Sequence, residues 1–312
     1  MDPQRPKEKE HIVSTALIIG VGGLGCPASL GLAAGGVESL ILLDGDRVER
    51  SNLARQVLYT EANVGEWKVD AAKRSLQARY PELKIEAHAQ SLDEANVDTW
   101  LTRADVVIDG TDDPTVKFLI NDRAHALGIP AVLGGIARFH GLVLAISGQH
   151  GPCYRCLFEE PPSAEESESC AQAGVLGPLA GMVGHLQAKR ALGLLAGEMA
   201  AHTGFVTTID ALKGRIRDIP LPQATECATC GGVTARIDIS SYMCPMTFVR
   251  TRLALESLEP GQLLDVVMRQ GEPARNIPRN LTEEGHIVLS KGPIDDQHYR
   301  VVVRHHGVAS SN

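Results

Sequence analysis

No apolar run in this chain approaches the ~20 residues a helix needs to cross a bilayer. A secretory signal is missing too, because Met1 to Glu10 is polar and charged where such a signal would turn apolar. Positive charge is also in deficit. Thirty Lys and Arg against 38 Asp and Glu leave a formal net charge of -8, which argues against nucleic acid as a partner and against general attraction to anionic membranes. These absences point to a cytoplasmic protein, and a reducing compartment excludes a disulfide framework for the seven cysteines. Hydrophobic residues at 44% and charged residues at 22% over 312 positions suit one large α/β domain followed by a small one.

What is present centres on Gly20-Val21-Gly22-Gly23-Leu24-Gly25. The apolar run Ala16 to Ile19 precedes it and the helix-like stretch Cys26 to Gly35 follows. A buried parallel strand turning sharply into a helix leaves the helix's first N–H groups free for an anion. Ser39 to Leu43 then leads into Asp44, where a nucleotide-binding βαβ unit places the carboxylate that takes a ribose hydroxyl. By itself this pattern fits users of NAD, FAD and ATP.

A polar leader over residues 1–14 precedes this unit. Gly45 to Gln56 is too rich in charge and amide for a core element and reads as an active loop at the strand ends. Lys68 opens an amphipathic helix to Ala78, Leu83 to Ala87 alternates as a third strand, and Val106 to Asp109 is a fourth. Thr111 to Pro114 reads as the turn and cap of a helix running to Leu127. Ile129 to Leu133 and Gly141 to Ile146 add strands, Leu179 to Leu195 a small-residue helix, and Phe205 to Leu221 a hairpin. Repeated strand–helix alternation predicts an α/β fold, a Rossmann-like, mainly parallel sheet with helices on both faces. Between Glu159 and Glu168 an acidic segment without periodicity reads as a mobile loop. The predicted boundaries are 15–232 for the large domain, 233–306 for a small α+β domain of four strands, and 307–312 for a tail.

Two pairs, Cys153-x-x-Cys156 and Cys227-x-x-Cys230, match the way four thiolates hold tetrahedral zinc, with redox dithiols or buried small hydrophobes as the alternatives. The charged cluster of Asp44, Asp46, Asn52, Arg55, Gln56, Lys68 and Asp112 suits ATP chemistry better than hydride transfer. Nucleotidyl transfer needs fixed cations on non-bridging oxygens and a carboxylate for Mg²⁺. A nicotinamide-dependent oxidoreductase, which would need none of these, is the weaker reading.

Together, Gly20 to Gly25, Asp44-Gly45-Asp46, Ser51 to Gln56, Lys68 and Gly110 to Asp113 resemble the MoeB/ThiF family, prokaryotic relatives of the ubiquitin-activating enzymes. The resemblance continues through both cysteine pairs and Cys170 to Pro178. It implies adenylation of the C-terminal Gly-Gly carboxylate of a ubiquitin-fold sulfur carrier, consuming ATP and Mg²⁺, by a homodimer. Carried over, Gly20, Gly22, Gly23 and Gly25 line the phosphates with Asp46, Ser51, Gln56 and Asp113 around them. Asp44 takes the ribose, Asn52, Arg55 and Lys68 hold phosphate, and Asp112 ligates Mg²⁺. Family members have an N-terminal arginine that reaches the partner's ATP; here the first strand begins too early for it, and Arg5 is a poor positional substitute. Cys170 stands where thiocarboxylate-forming members have a capturing thiol, a bystander role being the alternative. Cys26, inside the first helix, reads as core.

Cys244-Pro245 puts a thiol at a helix start, where the dipole favours the thiolate. Asp238 to Thr247, Arg250 to Leu255, Leu258 to Gly261 and Asn276 to Pro278 resemble the TusA family of sulfur-relay proteins, with Thr247 in place of a second proline. The resemblance implies a persulfide on Cys244, loaded by a donor such as a cysteine desulfurase or rhodanese; an inert helix-start residue is the alternative. Both resemblances together predict a carrier adenylated by the first domain and thiolated from the second. A non-catalytic relay scaffold that binds nucleotide without using it is the rival from another class.

Overall fold

The computed structural model describes residues 14–148, 151–162, 175–224, 227, 229–231, 233–243, 245–260 and 262–306. Arg5, Cys170, Cys244 and most of the acidic loop lie outside the described residues. The chain divides into two compact units, the first ending at Pro222 and the second beginning at Gln223.

The first unit is an eight-stranded sheet. Strands β1 (Thr15–Ile19), β2 (Ser39–Leu43), β3 (Lys84–His88), β4 (Val106–Asp109) and β5 (Ala131–Ala137) run parallel, and β6 (His140–Ile146), β7 (Phe205–Asp210) and β8 (Arg215–Pro220) add an antiparallel extension. The order β3-β2-β1-β4-β5-β6-β7-β8 reverses direction between β1 and β4. That reversal is the switch point outside whose carboxyl ends open α/β sheets bind ligands.

Helices α1 (Gly25–Gly35), α2 (Lys68–Arg79), α3 (Val97–Leu101), α4 (Pro114–Leu127), α5 (Gly177–Leu195) and the short α6 (Met199–His202) cover the sheet. Alternate strand residues Ala16, Ile18, Leu40, Leu42, Val106 and Ile108 join Leu32 of α1, Leu76 of α2 and Ala188 of α5 in one core. Their neighbours Leu17, Ile41 and Val107 are equally buried and, by the period-2 alternation of a strand, serve the other face. Strands hydrophobic on both sides are what a doubly covered parallel sheet requires. The hairpin expected over Phe205 to Leu221 is β7 and β8, and β5 runs past Leu133 to Ala137 because its antiparallel pairing with β6 extends it.

In the second unit, β9 (Val233–Asp238), β10 (Leu263–Arg269), β11 (Ile287–Pro293) and β12 (His298–Arg304) form a sheet of order β11-β12-β10-β9. Helix α7 (Met246–Glu256) connects the parallel pair β9 and β10, and α8 (Glu272–Glu283) follows β10. The four strands and α7 match the sequence reading, whereas α8 has no counterpart in it. Pro278 lies inside it, and an internal proline ordinarily argues against a helix. Ile277, Pro278 and Leu281 are nonetheless buried, so packing on the core outweighs the broken ladder. Asp265, without exposed surface, is held by Arg236 at 2.6 Å and Arg300 at 2.9 Å.

His286 and His305 are both buried in this unit, with ring centroids 5.2 Å apart, and Nδ1 of His286 accepts the His306 amide at 3.3 Å. Burial first, then the charge of His305, hold the His286 imidazole below its ordinary 6.5, with His306 and Arg252 adding to this and Glu284 opposing. A histidine depressed on folding takes up protons on unfolding. Its contribution is therefore complete above the ordinary histidine range and lost as pH falls through it. The melting temperature of the second unit's transition, followed by circular dichroism from about pH 8 to about pH 5, is expected to fall, and His286→Gln to flatten that slope.

Candidate active site

The glycine turn lies at the carboxyl end of β1. Gly20 adopts φ +82°, and its N–H donates to the Leu43 carbonyl at 2.7 Å, while the Val21 N–H donates to Oδ2 of Asp44 at 2.7 Å. The amides of Gly22, Gly23 and Leu24 meet no acceptor among the described residues. Three free N–H groups at the head of an eleven-residue helix form an anion seat. From β4, Gly110 closes against it: its N–H donates to Ile19 at 2.7 Å, and a Cβ there would stand 2.3 Å from the Gly20 oxygen.

A pocket of about 1820 Å³ opens from this turn. Gly20, Gly22, Gly23, Asp44, Asp46, Asn52, Arg55, Gln56, Lys68, Asp112 and Asp113 all line it, so the structure brings together most of the residues the sequence singled out. Gly25 and Ser51 are off its wall. Gly25 instead serves packing, since a Cβ there would lie 2.0 Å from the Gly20 carbonyl oxygen, and the exposed Ser51 hydroxyl donates to Glu49 at 3.2 Å. Cys26 is core as expected: its thiol is fully buried, donates to the Val21 carbonyl at 3.3 Å, and is pushed up to about 12 by burial.

Asp44 directly follows β2, with Oδ1 accepting the Asp46 amide at 2.8 Å. Lys68, the first residue of α2 and itself buried, sets its ammonium 2.6 Å from Asp46 and 3.9 Å from Asp44. Burial raises the Asp44 carboxyl above the usual carboxylate range, against the pull of Lys68 and the two amides. Asn52 and Gln56 are buried by two tight turns in the polar segment, and Oδ1 of Asn52 accepts from the Arg55 guanidinium at 2.7 Å. The Gln56 side-chain oxygen is buried with no hydrogen-bond partner among the described residues, while its amide nitrogen faces Gly22. An unpaired buried amide at a ligand pocket marks a group waiting for a polar partner.

Other site residues were not legible in the sequence. Lys117, in the first turns of α4, is a buried ammonium donating to Asp109 at 2.6 Å, to the Thr111 carbonyl at 2.6 Å and to the Gly134 carbonyl at 2.7 Å. With all three donors used, it fixes the turn that carries Asp112 rather than reaching for a ligand. Asp113 caps α4 by accepting the Thr115 amide at 2.8 Å. The available signal was an acid at a strand end with a lysine eight positions on. Farther from the glycine turn, Tyr154 meets Phe118 edge to face and Phe158 at a tilt, with ring centroids 5.1 Å apart in each pair, and Arg215 and Arg217 of β8 add positive charge to the wall.

Cys153, Cys156, Cys227 and Cys230 form a group of thiols that could hold a metal such as zinc, which four thiolates bind tetrahedrally at ~2.3 Å. Asn121, buried in α4, accepts the Tyr154 amide at 2.7 Å, and Asp122 pairs with Arg155 at 2.8 Å, keying the first knuckle onto the helix that borders the pocket.

An anion seat at the switch point of a parallel sheet, flanked by a buried acid and lysine, defines a Rossmann-like nucleotide-binding protein. Residues 7–229 match the model of the ThiF family and residues 235–305 that of sulfurtransferase TusA. The chain belongs to the ThiF family, with a TusA domain following. It is 38% identical over 257 residues to the pig "Adenylyltransferase and sulfurtransferase MOCS3", covering 81% of this chain and 56% of that protein. To the Thermus thermophilus "Sulfur carrier protein adenylyltransferase" it is 38% identical over 76% of this chain and 90% of that one. To the Haloferax volcanii "SAMP-activating enzyme E1" it is 38% identical over 77% and 89%. The chain thus spans little over half the length of the MOCS3 relatives it matches. Among solved structures, Escherichia coli MccB with ATP superposes with TM-score 0.60 at 22% identity, over 70% of this chain and 67% of that one, a likeness of fold.

Because a Cβ at position 25 would overlap the Gly20 carbonyl, Gly25→Ala must displace the glycine turn. Isothermal titration is expected to show ATP affinity falling by at least about tenfold, with the far-ultraviolet circular dichroism of the wild type retained.

Proposed function

We propose that this chain is an ATP-dependent adenylyltransferase that activates the C-terminal Gly-Gly carboxylate of a ubiquitin-fold sulfur carrier, and that its second unit then brings sulfur as a persulfide on Cys244. The observation that carries the reading is the run of free amides at Gly22 to Leu24 beside the Asp44, Asp46 and Lys68 cluster. The names of its relatives, which join adenylyl transfer to sulfur carriers, support the same reading.

In the first step a carboxylate oxygen of the carrier attacks the α-phosphorus, forming acyl-AMP and expelling pyrophosphate. Two anions must meet, and the chain's cations offset that repulsion. Lys68 and Arg55, backed by Asn52 and Gln56, hold phosphate oxygens, the free amides seat the phosphate chain, and Asp44 accepts a ribose hydroxyl. Asp112, exposed at the mouth with a fixed backbone, offers the hard oxygen ligand that suits Mg²⁺. Bound there, Mg²⁺ would neutralise charge on the departing pyrophosphate.

In the second step the terminal sulfur of the Cys244 persulfide attacks the acyl carbon and AMP leaves, giving an acyl disulfide. A second thiol, Cys170 or one supplied from outside, attacks the Cys244 sulfur; the thiocarboxylate departs and a disulfide remains. Carrying both modules on one chain raises the effective concentration of the second reactant to the order of millimolar. Zinc in the four-cysteine cluster would be structural, since a site with four protein ligands leaves no open position. A cytoplasmic setting, a homodimer and a desulfurase or rhodanese as persulfide donor complete the reading.

ATP–pyrophosphate exchange dependent on a Gly-Gly carrier tests it. The wild type is expected to exchange, with Lys68→Ala and Asp112→Asn each slower by about 10²-fold or more. Absence of exchange in the wild type would leave the nucleotide-binding relay scaffold as the surviving account.

A further inference from the structure

The two peptide groups that flank the Val21 Cα are each held by a side chain. The Val21 N–H donates to Asp44 at 2.7 Å, and the Val21 carbonyl accepts the Tyr59 hydroxyl at 2.7 Å and the more distant Cys26 thiol at 3.3 Å. Tyr59 is buried, and burial raises its phenol far above the ordinary range, so it stays a neutral donor. It reaches the turn from 38 residues away in sequence. Its own amide donates to the Gln56 carbonyl at 3.1 Å, so the segment bearing Asn52, Arg55 and Gln56 ends on the same side chain.

In a trans peptide the N–H lies opposite the preceding carbonyl. Fixing the Val21 oxygen toward the buried phenol therefore turns the Gly22 N–H the other way, toward the pocket that Gly22 lines. Without the hydroxyl only the weak thiol donor remains on that oxygen, and glycine neighbours leave the peptide free to rotate.

We infer that Tyr59 is a positioning residue of the phosphate seat, holding the Val21 carbonyl inward so that the Gly22 amide meets a bound phosphate, and registering the Asn52–Gln56 segment against the same turn. The inference rests on the nucleotide reading of the pocket. Tyr59 itself lies beneath the seat and touches no phosphate.

The test is Tyr59→Phe, which keeps the ring in the core and removes one hydroxyl. Affinities for ATP and for adenosine are measured by titration on the full chain, together with the melting temperature. The expected result is an ATP affinity lower by about tenfold, the scale of one hydrogen bond, with adenosine affinity unchanged and the melting temperature close to wild type. A structural role would not separate the two ligands. Equal losses for both, no loss for either, or a variant that fails to fold would each overturn the assignment. Wild-type protein that binds no ATP would overturn the nucleotide reading itself, whereas a wild type that binds and a variant that matches it would remove only Tyr59.

Discussion

Three consecutive backbone amides without partners among the described residues, at Gly22, Gly23 and Leu24, are the constraint around which the first unit is arranged. Unpaired donors are costly where water is scarce, and a fold keeps them only where an anion or solvent can satisfy them. Everything nearby secures that arrangement. Gly110 and Gly25 pack so closely on Gly20 that no side chain fits between them. Asp44 takes the Val21 amide, and the Asp109–Lys117 pair fixes the neighbouring turn. A buried ion pair adds little net stability, but its geometry is unforgiving, which suits a device for holding two strand ends in register.

Charge distribution follows from the same constraint. The chain is acidic overall, with a formal net charge of -8, yet Lys68, Arg55, Arg215 and Arg217 all line the pocket. Asp44, Asp46, Asp112 and Asp113 line the same wall, so the pocket carries both signs, with Arg55 against Gly23 and Lys68 beside Asp44. The TusA match over residues 235–305 adds a second chemical capacity of a different kind. On the proposed reading, one unit makes a carbonyl carbon electrophilic and the other supplies the sulfur that displaces AMP, two operations requiring opposite electrostatics at the reacting atom.

Much of this is legible in the sequence, because the informative residues are local. Ala16 to Ile19 followed by clustered glycines reads as strand and turn from a dozen neighbouring positions, and the acids at Asp44 and Asp109 stand at strand ends. What stayed hidden depends on tertiary pairing. Lys117 is one lysine among many until its helix docks against β4 and β5, and Tyr59 becomes informative only when the polar segment folds back over Val21. Helix α8 escaped for the converse reason. Pro278 carries a strong local signal against a helix, and burial of Ile277 and Leu281 overrides it. Each of the pairs Cys153-x-x-Cys156 and Cys227-x-x-Cys230 is legible from spacing alone, since two thiols three residues apart form half of a tetrahedral site.

The central claim is that a carboxylate oxygen of the carrier becomes bonded to the α-phosphorus of ATP before sulfur arrives. A single turnover with a carrier whose terminal carboxylate is labelled with oxygen-18 reads that bond directly by mass spectrometry of the released nucleotide. The account predicts one labelled oxygen in AMP for each thiocarboxylate formed. Unlabelled AMP, or label recovered in phosphate after release of ADP, would contradict it.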